Sequence, residues 1–134
     1  YALSAAGRKA AVVTDLGSVT PAVEAGIRGA NLLLAEANYE PEWLESGPYP
    51  SFLKARIRGE RGHLSNAAGA ALACAGAERG AATVVLAHLS RENNTPQRAY
   101  DTARAALERR GAEIGRDVVL AVAPRDTASA TFPV

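Results

Sequence analysis

Four short apolar runs recur along the chain, and they constrain its fold more than any other feature. They are AAVV at 10–13, LLLA at 32–35, VVLA at 84–87 and VVLAVA at 118–123. Runs of this length that are rich in Val or Leu are typical of strands buried on both faces of a sheet. Because segments with helical signals separate the runs, the order predicts an α/β layer structure.

Capping residues, prolines and glycines indicate where the intervening helices begin and end. Thr20-Pro21 and Thr95-Pro96 each combine a good N-cap with a proline in the first turn, and Ser65 is a good N-cap for an Ala-rich segment. A glycine just beyond the last helical residue is a common stop signal. We expect helices near 21–28, within 41–47, over 50–58, from Ser65 to about Glu78, and from Thr95-Pro96 to Arg110.

The segment 50–58 has an amphipathic pattern. It places Phe52, Leu53 and Ile57 on one face of a helix, with Arg and Lys side chains opposite. The pattern predicts a helix over this segment.

Composition bounds the class of protein. The chain has 134 residues, of which 48% are hydrophobic and 22% charged, and this fits one soluble globular domain. Its net charge of +1 is too balanced to indicate nucleic-acid binding by itself. Cys74 is the single cysteine, and on an Ala-rich helix we expect it to be a small core residue. It excludes an internal disulfide and a Cys-based zinc site.

The sequence was also searched for membrane-spanning segments and signal peptides. No apolar stretch approaches the roughly 20 residues of a membrane span, and no signal peptide precedes Thr14-Asp15. We therefore expect a cytoplasmic protein with no membrane partner. The sequence contains no Met and opens in mid-pattern at Tyr1, so we also expect it to begin inside a larger protein.

Polar residues follow each apolar run directly, in the segments TDLG, EAN, HLS and PRD. In open α/β sheets, ligands bind beyond the carboxyl ends of the strands. Asp15, Glu36 and His88 are therefore candidate site residues, whereas Asp126 fits a cap or turn. The chain has no glycine-rich phosphate loop, nucleophile elbow or Ser-His-Asp order.

Each candidate has a structural alternative. Asp15 before Gly17 is typical of a turn, but a carboxylate at a strand end can also bridge two divalent metals. His88 could be a satisfied core histidine, yet the dense polar loop after it favours a metal ligand. Glu36 could orient a histidine or pair with an arginine, and the two alternatives are evenly balanced.

His63 lies in RGHLSN, directly before a predicted helix start. It could be a surface loop histidine. However, the following helix start offers free backbone N–H groups suited to phosphate, and His63 beside them could donate a hydrogen bond or a proton to a leaving oxygen. By spacing alone, these residues amount to half of a metal or phosphate site.

Several motifs together carry a resemblance to a known family. TDLG, LLLAEAN, GPYPSFLKARIRGERGHLSN and VVLAHLSRENNTP resemble the carboxyl-terminal half of metallo-β-lactamase-fold hydrolases of the YycJ (WalJ) type. The similarity spans nearly the whole chain, and the GHLSN and LAHLS-x-ENN-x-P segments are specific. A more distant similarity is to ribonuclease Z.

The resemblance implies that residues 1–134 form about half of an αββα sandwich around two divalent metal ions, zinc or manganese. Asp15 matches the bridging aspartate and His88 the last metal-binding histidine. His63 matches the histidine of the phosphate-facing loop, and Glu36 the glutamate of a HEAT-like loop that orients histidines. Ser65 and Asn66 would help to hold phosphate.

Two departures from the family limit what the chain can do alone. The HxHxDH motif, which supplies most metal ligands and the water-activating aspartate, is absent, and Tyr39 stands where the family often has His. We expect a phosphodiesterase or nuclease acting on DNA or RNA in the full-length protein, with weak or no metal binding and no activity in this fragment.

The expected partners are the missing amino-terminal half, nucleic acid and, for the fragment, further copies of itself. The alternatives are a non-catalytic α/β binding or scaffold module, and a metallo-hydrolase of small esters or thioesters.

Overall fold

A computed structural model describes residues 1–134 as five strands and five helices. The strands are β1 (Ala2–Ala5), β2 (Arg8–Val13), β3 (Leu32–Glu36), β4 (Thr83–Ala87) and β5 (Val119–Val122). The helices are α1 (Pro21–Ile27), α2 (Pro41–Ser46), α3 (Ser51–Arg58), α4 (Asn66–Glu78) and α5 (Pro96–Arg109).

The strands form one mixed sheet in the order β1-β2-β3-β4-β5. β1 is antiparallel to β2, whereas the other four strands run parallel to one another. The predicted α/β class is therefore confirmed. Because β2 to β5 are parallel, their carboxyl ends meet at one edge of the sheet.

The helices begin where their capping residues predict. The side-chain oxygens of Thr20, Ser65 and Thr95 accept hydrogen bonds from the backbone N–H groups three residues further on. Each cap satisfies one of the N–H groups that a helix start leaves unpaired. The caps thus fix the chain just before α1, α4 and α5.

The hydrophobic core lies between one face of the sheet and helices α1, α4 and α5. The connections between the parallel strands β2 to β5 all step in the same direction across the sheet. Because such connections are right-handed, their helices lie on the same face of the sheet. Alternate strand residues such as Ala11, Leu33 and Val84 face these helices and are buried. Cys74 in α4 belongs to this core, as expected, and burial raises the pKa of its thiol. The thiol therefore stays protonated at neutral pH.

The opposite face of the sheet is apolar but lies outside this core. On β2 and β3 the intervening residues Val12 and Leu34 are only half-buried, whereas Val85 beside them on β4 is buried. Val119 at the edge strand is 47% exposed. Parallel sheets are ordinarily covered on both faces. The arrangement is thus consistent with part of a larger sandwich.

Two features go beyond what the sequence indicated. β1 lacks an apolar run and was not expected; it pairs with β2 through a tight turn in which Ala6 and Gly7 both have positive φ. Phe52, on the apolar side of the amphipathic helix α3, is 74% exposed. Leu53 and Ile57 are half-buried, and no residue of α3 is fully buried. α3 therefore lies on the rim of the structure.

None of the helices is both long and apolar enough to cross a membrane.

Candidate metal centre

Three candidate ligands meet at the carboxyl edge of the sheet. Asp15 follows β2, His88 follows β4, and His63 comes from the loop between α3 and α4. One ligand atom from each of the three lies within 4.8 Å of the others. The distance from His88 Nε2 to Asp15 Oδ1 is 3.6 Å, which meets the expected separation of less than about 5 Å for ligands of one metal.

Glu36, the last residue of β3, links the three segments. Its carboxylate is fully buried, and Oε1 lies 2.8 Å from His63 Nδ1 and 2.7 Å from His88 Nδ1. Its Oε2 accepts hydrogen bonds from the backbone N–H groups of Leu16 at 3.1 Å and Leu64 at 3.4 Å. One carboxylate therefore fixes the loops that carry Asp15, His63 and His88.

The contacts of Glu36 also orient both imidazole rings. A carboxylate accepts hydrogen bonds, so Nδ1 of His63 and Nδ1 of His88 are the donors. In the neutral rings, each Nε2 then carries a free lone pair. The ring centroids are 5.1 Å apart. A carboxylate behind the histidine is the usual support of a metal-binding imidazole.

Asp15 and His88 both have left-handed backbone conformations, with φ of 59° and 60°. This region is uncommon for residues with a side chain, although Asp and His occupy it more often than most. Such strain persists only where surrounding contacts enforce it, and it concentrates at functional sites. The backbone is therefore in an unfavourable conformation at both Asp15 and His88.

A buried amide network holds the His88 backbone. Asn38 Nδ2 donates a hydrogen bond of 2.6 Å to the His88 carbonyl oxygen. Asn94 Nδ2 donates to the Ala37 carbonyl at 2.8 Å, and its side chain also bonds that of Asn66 at 2.7 Å. All three asparagines are buried. The network joins the loops after β3 and β4 to the start of α4.

Ser65 and Asn66 are placed differently from the three candidate ligands. The Ser65 hydroxyl caps α4 by accepting from the Ala68 N–H. Asn66 is buried, and its Nδ2 donates to Glu40 Oε2 at 3.1 Å. Neither residue lines the cleft that contains Asp15. Their contact with phosphate stays a prediction, and this placement gives it no support.

The three candidate ligands line a cleft that has a volume of about 640 Å³. One wall is formed by α3 and the segments on either side of it, through Tyr49, Leu53, Arg56, Ile57 and Arg61. Both arginines are exposed. The wall is thus part apolar and part cationic.

The donor set fits a divalent metal. A carboxylate and imidazole nitrogens are ligands of both zinc and manganese, and Glu36 already holds the rings from behind. Three groups on a single rim, two of them exposed, leave further coordination positions open. The arrangement could hold part of a metal centre, with the remaining ligands coming from elsewhere.

Two curated proteins are similar to this chain over most of its length. Exodeoxyribonuclease YycJ of Bacillus anthracis is 37% identical over 116 residues, which are 86% of this chain and 44% of that protein. Exodeoxyribonuclease WalJ of Streptococcus pneumoniae (strain D39) is 34% identical over 118 residues, which are 88% of this chain and 44% of that protein. This chain is a homologue of the YycJ/WalJ proteins. It spans less than half the length of these curated relatives. No model of a protein family matches the chain.

The YycJ/WalJ resemblance drawn from the sequence motifs is therefore confirmed. At position 39, where that family often has His, the Tyr39 side chain is buried and does not line the cleft. Burial is the main cause that raises the pKa of its phenol, and Arg58 opposes the rise. Tyr39 is thus a neutral structural residue here.

Sequence reasoning missed the buried amides and the cationic wall of this YycJ/WalJ homologue. The polar run SRENN was the available signal for the amides, because Asn93 and Asn94 within it are buried. No comparable signal marked Arg56 and Arg61, since an amphipathic pattern alone places arginines on a solvent-facing surface.

Proposed function

We propose that this chain supplies half of the active site of a metal-dependent nuclease with a metallo-β-lactamase fold. The observation that carries the proposal is the convergence of Asp15, His63 and His88 on one rim, with both imidazoles held by the buried Glu36 carboxylate. The relatives are named exodeoxyribonucleases, which favours DNA as the substrate. The reaction is hydrolysis of a phosphodiester bond in the complete protein.

In this proposal Asp15 and His88 are the residues that would hold metal, and Asp15 would be the bridging ligand. When bound, zinc or manganese would supply Lewis-acid stabilisation of charge on the phosphate. Glu36 accepts from Nδ1 of His88 and thereby keeps its Nε2 directed into the cleft. The strained backbone at both ligands holds their side chains on the same rim.

His63 contacts the phosphate in this proposal. It lines the same cleft as Asp15 and His88, and its Nδ1 is held by Glu36. As an imidazolium whose Nδ1 donates to Glu36, His63 would give its Nε2 proton to the leaving oxygen as the P–O bond breaks, and the ring would then be neutral. Because Glu36 fixes the ring plane, the proton is delivered in one direction.

We further propose that the rest of the protein covers the open face of the sheet. The relatives are about twice as long as this chain, and the uncovered face is apolar. A second sheet packed there would complete the sandwich and bring the remaining metal ligands and the water-activating base to the cleft.

A nuclease assay on the full-length protein tests this function. Protein stripped of metal with a chelator and then supplied with zinc or manganese is incubated with DNA, RNA and a small carboxylic ester. We expect hydrolysis of DNA that depends on added metal and is lost in Asp15→Asn. Asp101→Asn, an exposed aspartate on α5, serves as the matched control and should retain activity. Metal-independent hydrolysis, or cleavage of the ester alone, would contradict the proposal.

A further inference from the structure

The wall of the cleft carries charge that the proposed chemistry does not use. Arg58 of α3 pairs with Glu45, whereas Arg56 and Arg61 line the cleft without a carboxylate partner. Arg56 and Arg61 are exposed and reach the same space as the candidate ligands. Two unpaired guanidinium groups beside a reaction centre are suited to phosphate, which they bind in a bidentate manner.

Aromatic side chains accompany these arginines. Tyr49, just before α3, lines the cleft. Phe52 lies one helical turn before Arg56 and is 74% exposed. Arginines interleaved with aromatic rings are typical of surfaces that bind a single nucleic-acid strand, because unpaired bases stack on the rings.

The charge balance of the cleft supports the same partner. Its charged side chains are the Asp15 carboxylate and the guanidinium groups of Arg56 and Arg61, with two histidines beside them. With neutral histidines the two positive charges outnumber the one negative charge of this lining, and the buried Glu36 carboxylate behind the histidines offsets the difference. Metal bound at Asp15 and His88 would make the lining more positive, so the cleft is complementary to a polyanion.

We propose that Tyr49, Arg56 and Arg61 form the track along which one strand of nucleic acid lies during hydrolysis. Arg56 and Arg61 contact the phosphates next to the reacting one, and Tyr49 stacks on an adjacent base. This inference rests on the proposed nuclease function, and it names residues that determine substrate binding without taking part in the bond cleavage.

Steady-state kinetics of the full-length protein with Arg56→Gln, Arg61→Gln and the double variant test the track. The substrates are a single-stranded DNA oligonucleotide and bis(4-nitrophenyl) phosphate, a diester with no neighbouring phosphate or base for the wall to contact. For the oligonucleotide, KM should rise roughly three- to tenfold for each substitution with kcat little changed, because each loses a phosphate contact made equally before and during reaction. Turnover of the small diester should stay at the wild-type rate.

Binding of the same oligonucleotide in chelator provides a readout that does not depend on hydrolysis. The slope of log K against log salt should become shallower by about 0.7 for each arginine removed. Tyr49→Leu should weaken binding about fivefold or more and leave the slope unchanged, since stacking involves no counterion release. Arg109→Gln is the matched control, because Arg109 is exposed at the far end of α5.

The outcomes separate this inference from the nuclease function. If the wild-type protein is active and the double variant has the same KM and salt slope as wild type, the track is refuted and the nuclease function is not. Equal loss on both substrates would also overturn it, because the arginines would then act at the reaction centre. Inactive wild-type protein whose DNA binding still weakens in the arginine variants would support the track and refute the nuclease.

Discussion

At the scale of single residues, the candidate site depends on Glu36. This carboxylate is fully buried and meets four donors, two from imidazole rings and two from the backbone. Burying a charge is costly unless hydrogen bonds compensate it, and here every oxygen is engaged. Glu36 therefore connects the stability of three loops to the geometry of the site.

Replacing Glu36 with Gln should affect both stability and metal binding. The substitution keeps the shape but leaves one acceptor oxygen for four donors, so the free energy of unfolding should fall by about 1–3 kcal/mol. Metal affinity should fall about 10–100-fold because the rings lose their support. Urea denaturation and metal titration of the full-length protein measure the two effects. Glu60→Gln, at an exposed position, is the control, and equal effects there would refute the role of Glu36.

The left-handed conformation of His88 gives a second prediction. Glycine occupies positive φ without steric cost, whereas alanine does not. His88→Gly should therefore be more stable than His88→Ala by about 1 kcal/mol, although both lose the imidazole. Thermal or urea unfolding of the two variants gives the difference, and both should be inactive but folded. An alanine variant as stable as the glycine variant would show that position 88 is not strained.

At the scale of elements, the strands and helices largely follow from local sequence signals. Val- and Leu-rich runs specify β3 and β4, and cap residues specify the starts of α1, α4 and α5. β1 could not be predicted because its residues are exposed and its existence depends on pairing with β2. The orientation of α3 likewise depends on the cleft beside it and not on its own amphipathic pattern.

Gly69 sets how closely α4 approaches the site. A Cβ at Gly69 would lie 2.2 Å from the Glu36 carbonyl oxygen, whereas a Cβ at Gly76 on the same helix would meet the flexible end of Leu33. Gly69→Ala should therefore lower the free energy of unfolding by about 1–3 kcal/mol. Gly76→Ala should cost less, because Leu33 can move and alanine favours the helix by up to about 1 kcal/mol.

Urea unfolding of the two glycine variants measures these costs, and DNA hydrolysis by the full-length protein reports on the site. Activity should fall in Gly69→Ala more than in Gly76→Ala, since only the former displaces the backbone at Glu36. Equal losses of stability and activity in the two variants would contradict close approach at Gly69.

At the scale of the whole molecule, the uncovered sheet face is the dominant feature. An exposed apolar face of this kind favours association. The 134-residue chain alone should therefore self-associate and bind metal only weakly. Sedimentation velocity should show Leu34→Lys, on the open face, as less associated than wild type, with Ala67→Lys on α4 unchanged. A monomeric wild-type chain that binds metal tightly would contradict this.

The candidate site was predictable in part. Asp15, Glu36 and His88 each follow an apolar run, and parallel strands bring the residues after their carboxyl ends together. The joining of two imidazoles on one carboxylate was not predictable, since it depends on how the loop before α4 folds back. The burial of Asn66 was missed for the same reason, because a helix start alone does not reveal which neighbours cover it.

Calorimetric titration of zinc and manganese into metal-free full-length protein tests the central claim most directly. Wild type should bind two ions tightly. Both Asp15→Ala and His88→Ala should lose tight binding, because each removes one ligand from a site that normally has only three or four protein ligands. Asp126→Asn, whose exposed carboxylate pairs with Arg91, should bind as wild type does. Wild-type affinity and stoichiometry in Asp15→Ala and His88→Ala would show that these residues hold no metal.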